Sequence, residues 1–375
     1  MATVKPAIAK WLMMSVIVLA VSCRKDHGEQ PPPPVKEYDV ITTGIILNPV
    51  GNVYDPWCWI NGERVELEKD GSYEAFPYGI EKVGNDLYIT GGYTHTAVLE
   101  PCYWKNGVKK DLPIDGLSIA IRCGARDAKW FNNALYILGD VDLKPIIWKV
   151  KGNDITRIPI KAAANVSDVK VAMNLEVYNN KLYFATAQKV TNGATTFREA
   201  GYWVMDDADK VTYHALESNL IQALCYSLAI SAKGIFVAGE YRDNISTPYP
   251  IPTVWSLQGR LPVVNQVNPN SQRINEVVLD GSGKMYLNVL DYSSTKPMVW
   301  KITGNTYDPL SPTIPANAKG YVNNLAMRDD KLAYGYTYII GNNYYAGYYF
   351  NGKQAELKTP APDFLMIHRT SIFLK

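Results

Sequence analysis

From residue 38 onward the chain alternates short apolar runs with small clusters of turn-forming residues, and no amphipathic helix stands between them. The clearest runs are "VITTG" at 40–44, "LYITG" at 87–91, "LYILG" at 135–139, "LYFAT" at 182–186, "IFVAG" at 235–239, "MYLNV" at 285–289 and "LAYGY" at 332–336. Aromatic and β-branched residues concentrated in five positions between turns predict strands. Before most of them stands a turn cluster: "GND" at 84–86, "NN" at 132–133 and 179–180, "AKG" at 232–234, "GSG" at 281–283 and "DD" at 329–330. These residues tolerate the positive φ of tight hairpins, so each run is expected to be the second strand of a unit, joined to a first strand by that turn.

A further segment follows each of these runs. "CWINGERVEL" at 58–67 and "CYWKNGVKKDL" at 102–112 each read as a third strand, an Asn-Gly hairpin turn and a fourth strand. "WKVKGNDITRI" and "WKITGNTYDPL" shift the turn by two residues and keep its chemistry, and "YFNGKQAEL" restores Asn-Gly at 351–352. Trp59, Trp104, Trp148, Trp203, Trp255, Trp300 and Tyr349 head these segments at intervals of 45, 44, 55, 52, 45 and 49 residues. Four-stranded units at that period predict an all-β fold, a β-propeller, because a ring leaves no raw sheet edge. The 339 residues from 37 to 375 divided by seven give about 48 per unit, the mean interval, so seven blades are expected, with six or eight as the alternatives.

Ring closure has two readings. The amino-terminal unit begins at its second strand, and "FLMIHR" at 364–369 could supply the missing first one. "TSIFLK" at 370–375 also reads as a turn plus a second strand, competing with "VITTG".

The second strand ending in glycine, as in "LYITGG" at 87–92, followed by a tryptophan strand, resembles kelch-type propellers, although the double glycine occurs only at Gly91-Gly92. Together with the amino-terminal features below, the chain resembles propeller lipoproteins of Bacteroidetes. That resemblance implies an envelope protein and names no activity.

Residues 1–22 carry Lys5 and Lys10, then an apolar run from Trp11 to Val21, the pattern of a signal peptide. "LAVSC" resembles the bacterial lipobox, which implies lipid attachment at Cys23, with Ala20 where leucine is commoner. Residues 23–36 hold four prolines in "RKDHGEQPPPPVKEY" and read as an extended tether, leaving 37–375 as a single propeller domain. The expected location is the outer membrane, on the periplasmic side or at the cell surface, with the lipid at Cys23 as the contact with the membrane.

Removing residues 1–22 takes two of the 38 basic side chains and none of the 36 acidic ones, so the remainder is formally neutral. Without a positive field, nucleic acid is disfavoured as a partner. Cys58, Cys102, Cys123 and Cys225 form no CxxC pair and no zinc spacing. Cys58 lies one residue before its tryptophan and Cys102 two before, so the pair is expected to face opposite ways and not to bridge.

The repeated tryptophans could serve as sugar platforms, yet their fixed place argues for packing between blades. Loops between second and third strands ring one mouth of a propeller channel. "GGYTH" at 91–95, "GDVD" at 139–142, "GEYRD" at 239–243 and "LDYS" at 290–293 begin such loops, which nominates Tyr93, Asp140, Glu240, Tyr241, Asp291 and Tyr292 as a ring of acids and aromatics for a glycan or a cationic group. Tyr334, Tyr336 and Tyr338 alternate and share one sheet face, as a stacking surface or simply as good strand formers. His95, His214 and His368 have no metal-ligand spacing, and phosphate loops, a GxSxG elbow and a sialidase-type Asp box are lacking, so no catalytic residue, metal or cofactor is assigned. The expected role is a non-catalytic, monomeric binding module for a glycan or an envelope protein. The alternatives are a glycan hydrolase or lyase using carboxylates from distant blades, and a scaffold subunit of an envelope complex.

Overall fold

A computed structural model describes residues 37–375 apart from 49–52, 70–73, 95–97, 115–122, 143, 172–173, 247–248, 262–271, 292–295, 305 and 360–364. The segments expected to be a signal peptide and a tether, with Cys23, therefore lie outside the described residues, as do His95 and Tyr292.

The described strands form seven antiparallel sheets, six of four strands and one of five. These are the blades of a seven-bladed β-propeller, and their first strands together line a central channel. In chain order the first strands of blades 2 to 7 are Glu74–Val83, Cys123–Phe131, the split pair Val166–Val171 and Glu176–Tyr178, Gln222–Ser231, Gln272–Leu279 and Lys319–Arg328. Blade 1 takes its first strand from the carboxyl end: Leu365–Leu374 pairs antiparallel with Tyr38–Asn48, from Tyr38 opposite Leu374 to Ile46 opposite Leu365. The first reading of the closing segment holds from Leu365 onward, and the second does not: residues 370–374 continue the same first strand, which has an irregular register at His368, and are no turn plus second strand.

The hairpin chemistry follows the sequence. Asn61-Gly62, Asn106-Gly107 and Asn351-Gly352 all have positive φ at both positions, between 46° and 90°, as a two-residue turn matched to strand twist requires. The asparagine does more than bend the chain. Asn61 Oδ1 accepts the Val40 backbone N–H at 2.9 Å and Asn106 Oδ1 that of Leu87 at 2.8 Å, tying the outer turn to the second strand.

Trp59, Trp104, Trp148, Trp203 and Trp255 are buried between blades. Indole N–H groups of three of them reach back to the segment leaving the preceding blade: Trp59 to the Lys358 carbonyl at 3.0 Å, Trp104 to Glu68 at 2.7 Å and Trp148 to Pro113 at 2.9 Å. Trp255 donates instead to the Glu217 carboxylate at 2.7 Å. Each ring thus fills an inter-blade layer, and all but Trp203, whose indole nitrogen is buried without a partner, close one hydrogen bond across it. Tyr334 takes this part in blade 7, donating to the Leu310 carbonyl and stacking on Tyr349 at 4.6 Å. Tyr336 and Tyr338 are also buried, so the tyrosine row is inter-blade packing and not an exposed stacking surface.

The four described cysteines, Cys58, Cys102, Cys123 and Cys225, are free and buried. Cys58 and Cys102 point to opposite sides of their own blades, and because those blades are neighbours both enter the same hydrophobic layer. Burial pushes the Cys58 and Cys225 thiols up to about 12, leaving no thiolate to react near neutral pH.

Candidate functional site

Every fully described first strand carries the same irregularity. One residue, or two in blade 2, is left out of the pairing with the second strand between Pro77 and Ile80, Ala125 and Asp127, Cys225 and Ser227, Ile274 and Glu276, Val322 and Asn324, and at His368. A bulge bends its strand and re-aims the extra side chain. Here the extra residues are Tyr78 with Gly79, Arg126, Tyr226, Asn275, Asn323 and His368, and all but Gly79 line one pocket of about 360 Å³. The bulges lie in the amino-terminal half of each first strand, so the pocket opens on the face that carries the loops between second and third strands.

The glycine that ends many second strands is explained by this geometry. A Cβ at Gly91, Gly139 or Gly239 would collide with a carbonyl of the bulging strand, from Phe76, Gly124 or Leu224, and with the ring edge of Trp104, Trp148 or Trp255.

The residue after the bulge residue, and Asn174 at the corresponding place in blade 4, holds the next blade. Asp127 accepts the Leu175 N–H at 2.8 Å; Asn174 accepts from Leu228 N at 2.9 Å and donates to its carbonyl at 2.8 Å. Ser227 meets Val277 N at 3.4 Å, Glu276 accepts from Leu325 N, and Asn324 accepts from Thr370 N at 2.6 Å while donating to its carbonyl at 2.8 Å. This belt joins the first strands of blades 3, 4, 5, 6, 7 and 1 and fixes the position from which each pocket residue projects. Two positions depart from it. Blade 2 has Gly79, and blade 1 has Arg369, whose guanidinium lies 3.5 Å from Asp127 Oδ2 and 3.6 Å from Glu276 Oε1. Arg369, Asn174 and Glu276 line both this pocket and a second chamber behind it, forming the partition between them.

On one side of the pocket Tyr78 stacks on His368 at 5.3 Å, with the Arg126 guanidinium 4.9 Å from the Tyr78 ring centre. Arg126 Nε donates to Asp140 Oδ1 at 2.6 Å. His368 Nδ1 lies 2.7 Å from the Pro77 carbonyl and must donate to it, which leaves Nε2 as an acceptor. Burial pushes His368 down to about 4, against the Pro77 hydrogen bond and with help from Arg126, so the ring is neutral at pH 7. Across the pocket the Arg273 guanidinium covers Tyr226 at 4.8 Å, and its Nε donates to Asn275 Oδ1 at 2.7 Å. Burial and the neighbouring Glu240 both raise the Tyr226 hydroxyl pKa, keeping it a hydrogen-bond donor. Asn323 Nδ2 is buried without a partner.

The sequence-nominated residues divide by strand alternation. Asp140 and Glu240 occupy equivalent positions and stand behind the pocket, against Arg126 and Tyr226. Tyr93 and Tyr241, one residue further on, face the other way into inter-blade packing: Tyr93 donates to Glu100 at 3.0 Å beneath Lys109, and Tyr241 lies under the Arg260 guanidinium at 3.5 Å. Asp291 accepts from Gln272 at the start of its blade's first strand, at 2.8 Å. Of the five that are described, Tyr93 and Tyr241 thus face away from the side on which Asp140 and Glu240 stand, and Tyr292 lies outside the described residues. The bulge residues were missed because they share no residue type. Their signal was a pair of polar residues in succession, as in Arg126-Asp127, Asn275-Glu276 and Asn323-Asn324, where an alternating strand should have one.

The chain matches no protein-family model, and no curated protein matches it. Among solved structures it is similar to an α-L-arabinanase of Penicillium chrysogenum complexed with arabinobiose, at 12% identity over 69% of this chain and 88% of the other, with a TM-score of 0.43. It is similar to a mutant of AofleA from Arthrobotrys oligospora at 10% identity, over 78% and 88%, with a TM-score of 0.43. The β-propeller domain of Cps50 (Swd1) from Myceliophteria thermophila gives 10% identity, 76% and 89% coverage and a TM-score of 0.42. At these values the likeness concerns the propeller architecture and carries nothing about activity.

Proposed function

We propose that the chain is a lipid-anchored envelope propeller that binds a glycan, without chemistry, in the pocket of bulge residues. The observation that carries this reading is the convergence of Tyr78, Arg126, Tyr226, Asn275, Asn323 and His368, each delivered by the same backbone irregularity, on about 360 Å³. That volume falls within the usual range for small-ligand clefts, about 300–1,000 Å³. A donor (Asn323 Nδ2) and acceptors (His368 Nε2, the Tyr226 hydroxyl oxygen, whose proton goes to Glu240) stand beside aromatic rings, a mixture suited to sugar hydroxyls around an apolar ring face. The lipobox-like "LAVSC" and the proline tether support the anchor.

A glycan array probed with the purified chain, repeated with Asn323→Ala and Tyr226→Ala, tests the site. Specific signals that drop about tenfold or more in both variants are expected, equivalent to about 1.4 kcal/mol each. Unchanged binding in both would remove the pocket. The anchor has its own test: Cys23→Ala should move the protein from the membrane fraction to the soluble one, and retention in the membrane would remove the lipid.

A further inference from the structure

The pocket of bulge residues has a floor. Arg369 enters the channel from blade 1, and its guanidinium lies 3.5 Å from Asp127 Oδ2 of blade 3 and 3.6 Å from Glu276 Oε1 of blade 6. One planar group thus bars the channel between blades on opposite sides. Behind the bar the second chamber, of about 390 Å³ and lined by Glu81, Lys129 and Glu176 among others, opens on the opposite mouth. The channel is two blind ends back to back. We propose, on the glycan reading of this pocket, that it takes the terminal residue of a glycan and refuses the same sugar inside a chain.

The side wall is closed as well. Asp127, Asn174, Ser227, Glu276 and Asn324 each accept a backbone N–H of the following blade, from Leu175, Leu228, Val277, Leu325 and Thr370, which joins blades 3, 4, 5, 6, 7 and 1 in succession. Blade 1 meets blade 2 through His368 Nδ1, 2.7 Å from the Pro77 carbonyl. Between blades 2 and 3 backbone packs on backbone: a Cβ at Gly79 would lie 2.6 Å from Asp127 Cα and 3.0 Å from the Arg126 carbonyl oxygen, closer than a side chain permits. The seven junctions are shut at the level of the floor, and the described residues leave no lateral slot there.

This shape discriminates by connectivity. A sugar inside a chain is bonded through its anomeric carbon and through one of its own oxygens, so it needs two ways out. A terminal sugar needs one. The volume of about 360 Å³ equals that of about a dozen waters at about 30 Å³ each, room for one or two sugar rings and not for a longer segment.

The lining agrees, because it surrounds its occupant. Flat groups face each other across the space: Tyr78 stacked on His368 at 5.3 Å from blades 2 and 1, and Arg273 over Tyr226 at 4.8 Å from blades 6 and 5. Hydrogen-bonding atoms come from further points of the circle, with Asn323 Nδ2, buried without a partner, on blade 7. Contact around the whole rim of a sugar requires that most of its hydroxyls be free, as they are at a chain end.

Two formats test this with the purified chain: an array of glycans of known structure, and native mass spectrometry with a library of free oligosaccharides before and after borohydride reduction. Bound array glycans are expected to share their outermost residue whatever lies beneath it, and glycans that hold this residue only internally should stay dark. The free monosaccharide should compete, and extending a bound glycan by one sugar at that residue should weaken it about tenfold or more. Asn323→Ala should remove this terminal signal; a signal that survived would put the site elsewhere and overturn the proposal. A dark array with free oligosaccharides that bind only before reduction would identify the reducing end as the one taken, and supports the proposal equally. Bound glycans that share an internal segment and differ at both ends, or affinity indifferent to extension, would overturn it and leave the glycan reading standing. Silence in both formats would remove the glycan reading itself, and this proposal with it.

Discussion

Single side chains in this propeller act across blade boundaries. Trp148 is buried in the layer shared by blades 2 and 3 and closes a hydrogen bond to Pro113. Trp148→Ala would leave a cavity and an unsatisfied carbonyl, and is expected to lower stability by about 3–5 kcal/mol, measurable by urea unfolding. This layer was legible in the sequence because one residue type recurs at one interval. The pocket was not, because Tyr78, Arg126, Tyr226, Asn275, Asn323 and His368 are unified by a backbone irregularity and share neither size nor charge. Asp140 and Glu240 were placed near it since both follow the glycine that the bulge requires. Tyr93 and Tyr241 were drawn in by sequence adjacency, and one step along a strand turns a side chain to the other face.

At the scale of the element, the closing strand shows why its segment read two ways. His368-Arg369-Thr370-Ser371 is a polar run between two apolar ones, which from sequence resembles a turn; in the ring it is the bulge and the belt position of one continuous strand. Leu365–Leu374 contributes Arg369 to the partition and receives Asn324 at Thr370. A chain ending at residue 363 would lose blade 1's first strand and expose the edge of Tyr38–Asn48. It should elute as oligomers or aggregate in size-exclusion chromatography, and a monomer with the parent's cooperative melting would contradict the assigned closure.

For the molecule as a whole, the channel acids set a pH dependence. Folding raises Glu81 and Glu276 from the ordinary 4.5 to about 7, so the native state binds more protons than the unfolded chain between these values. Their contribution is fully present below about 4.5 and is lost as pH rises to about 7. His368 works in the opposite sense, since folding lowers it to about 4 and stability returns as pH rises towards 6.5. Glu81→Gln isolates one carboxyl: relative to the parent it should gain up to about 3 kcal/mol between pH 4.5 and 7.5 in urea titrations. A difference that stays flat with pH would show that Glu81 titrates normally.

The closing ladder also has a mechanical meaning. Tyr38 at the start of its strand pairs with Leu374 at the end of the last one, so both chain ends leave the ring from the same corner of blade 1. Force applied between the amino and carboxyl ends would load the ladder at Tyr38 and Leu374 first and part the hydrogen bonds in succession, like a zipper, instead of shearing them together. A molecule held at its amino end and pulled at its carboxyl end is therefore weakest at its own seam, and stretching should release Leu365–Leu374 at low force before any other blade yields.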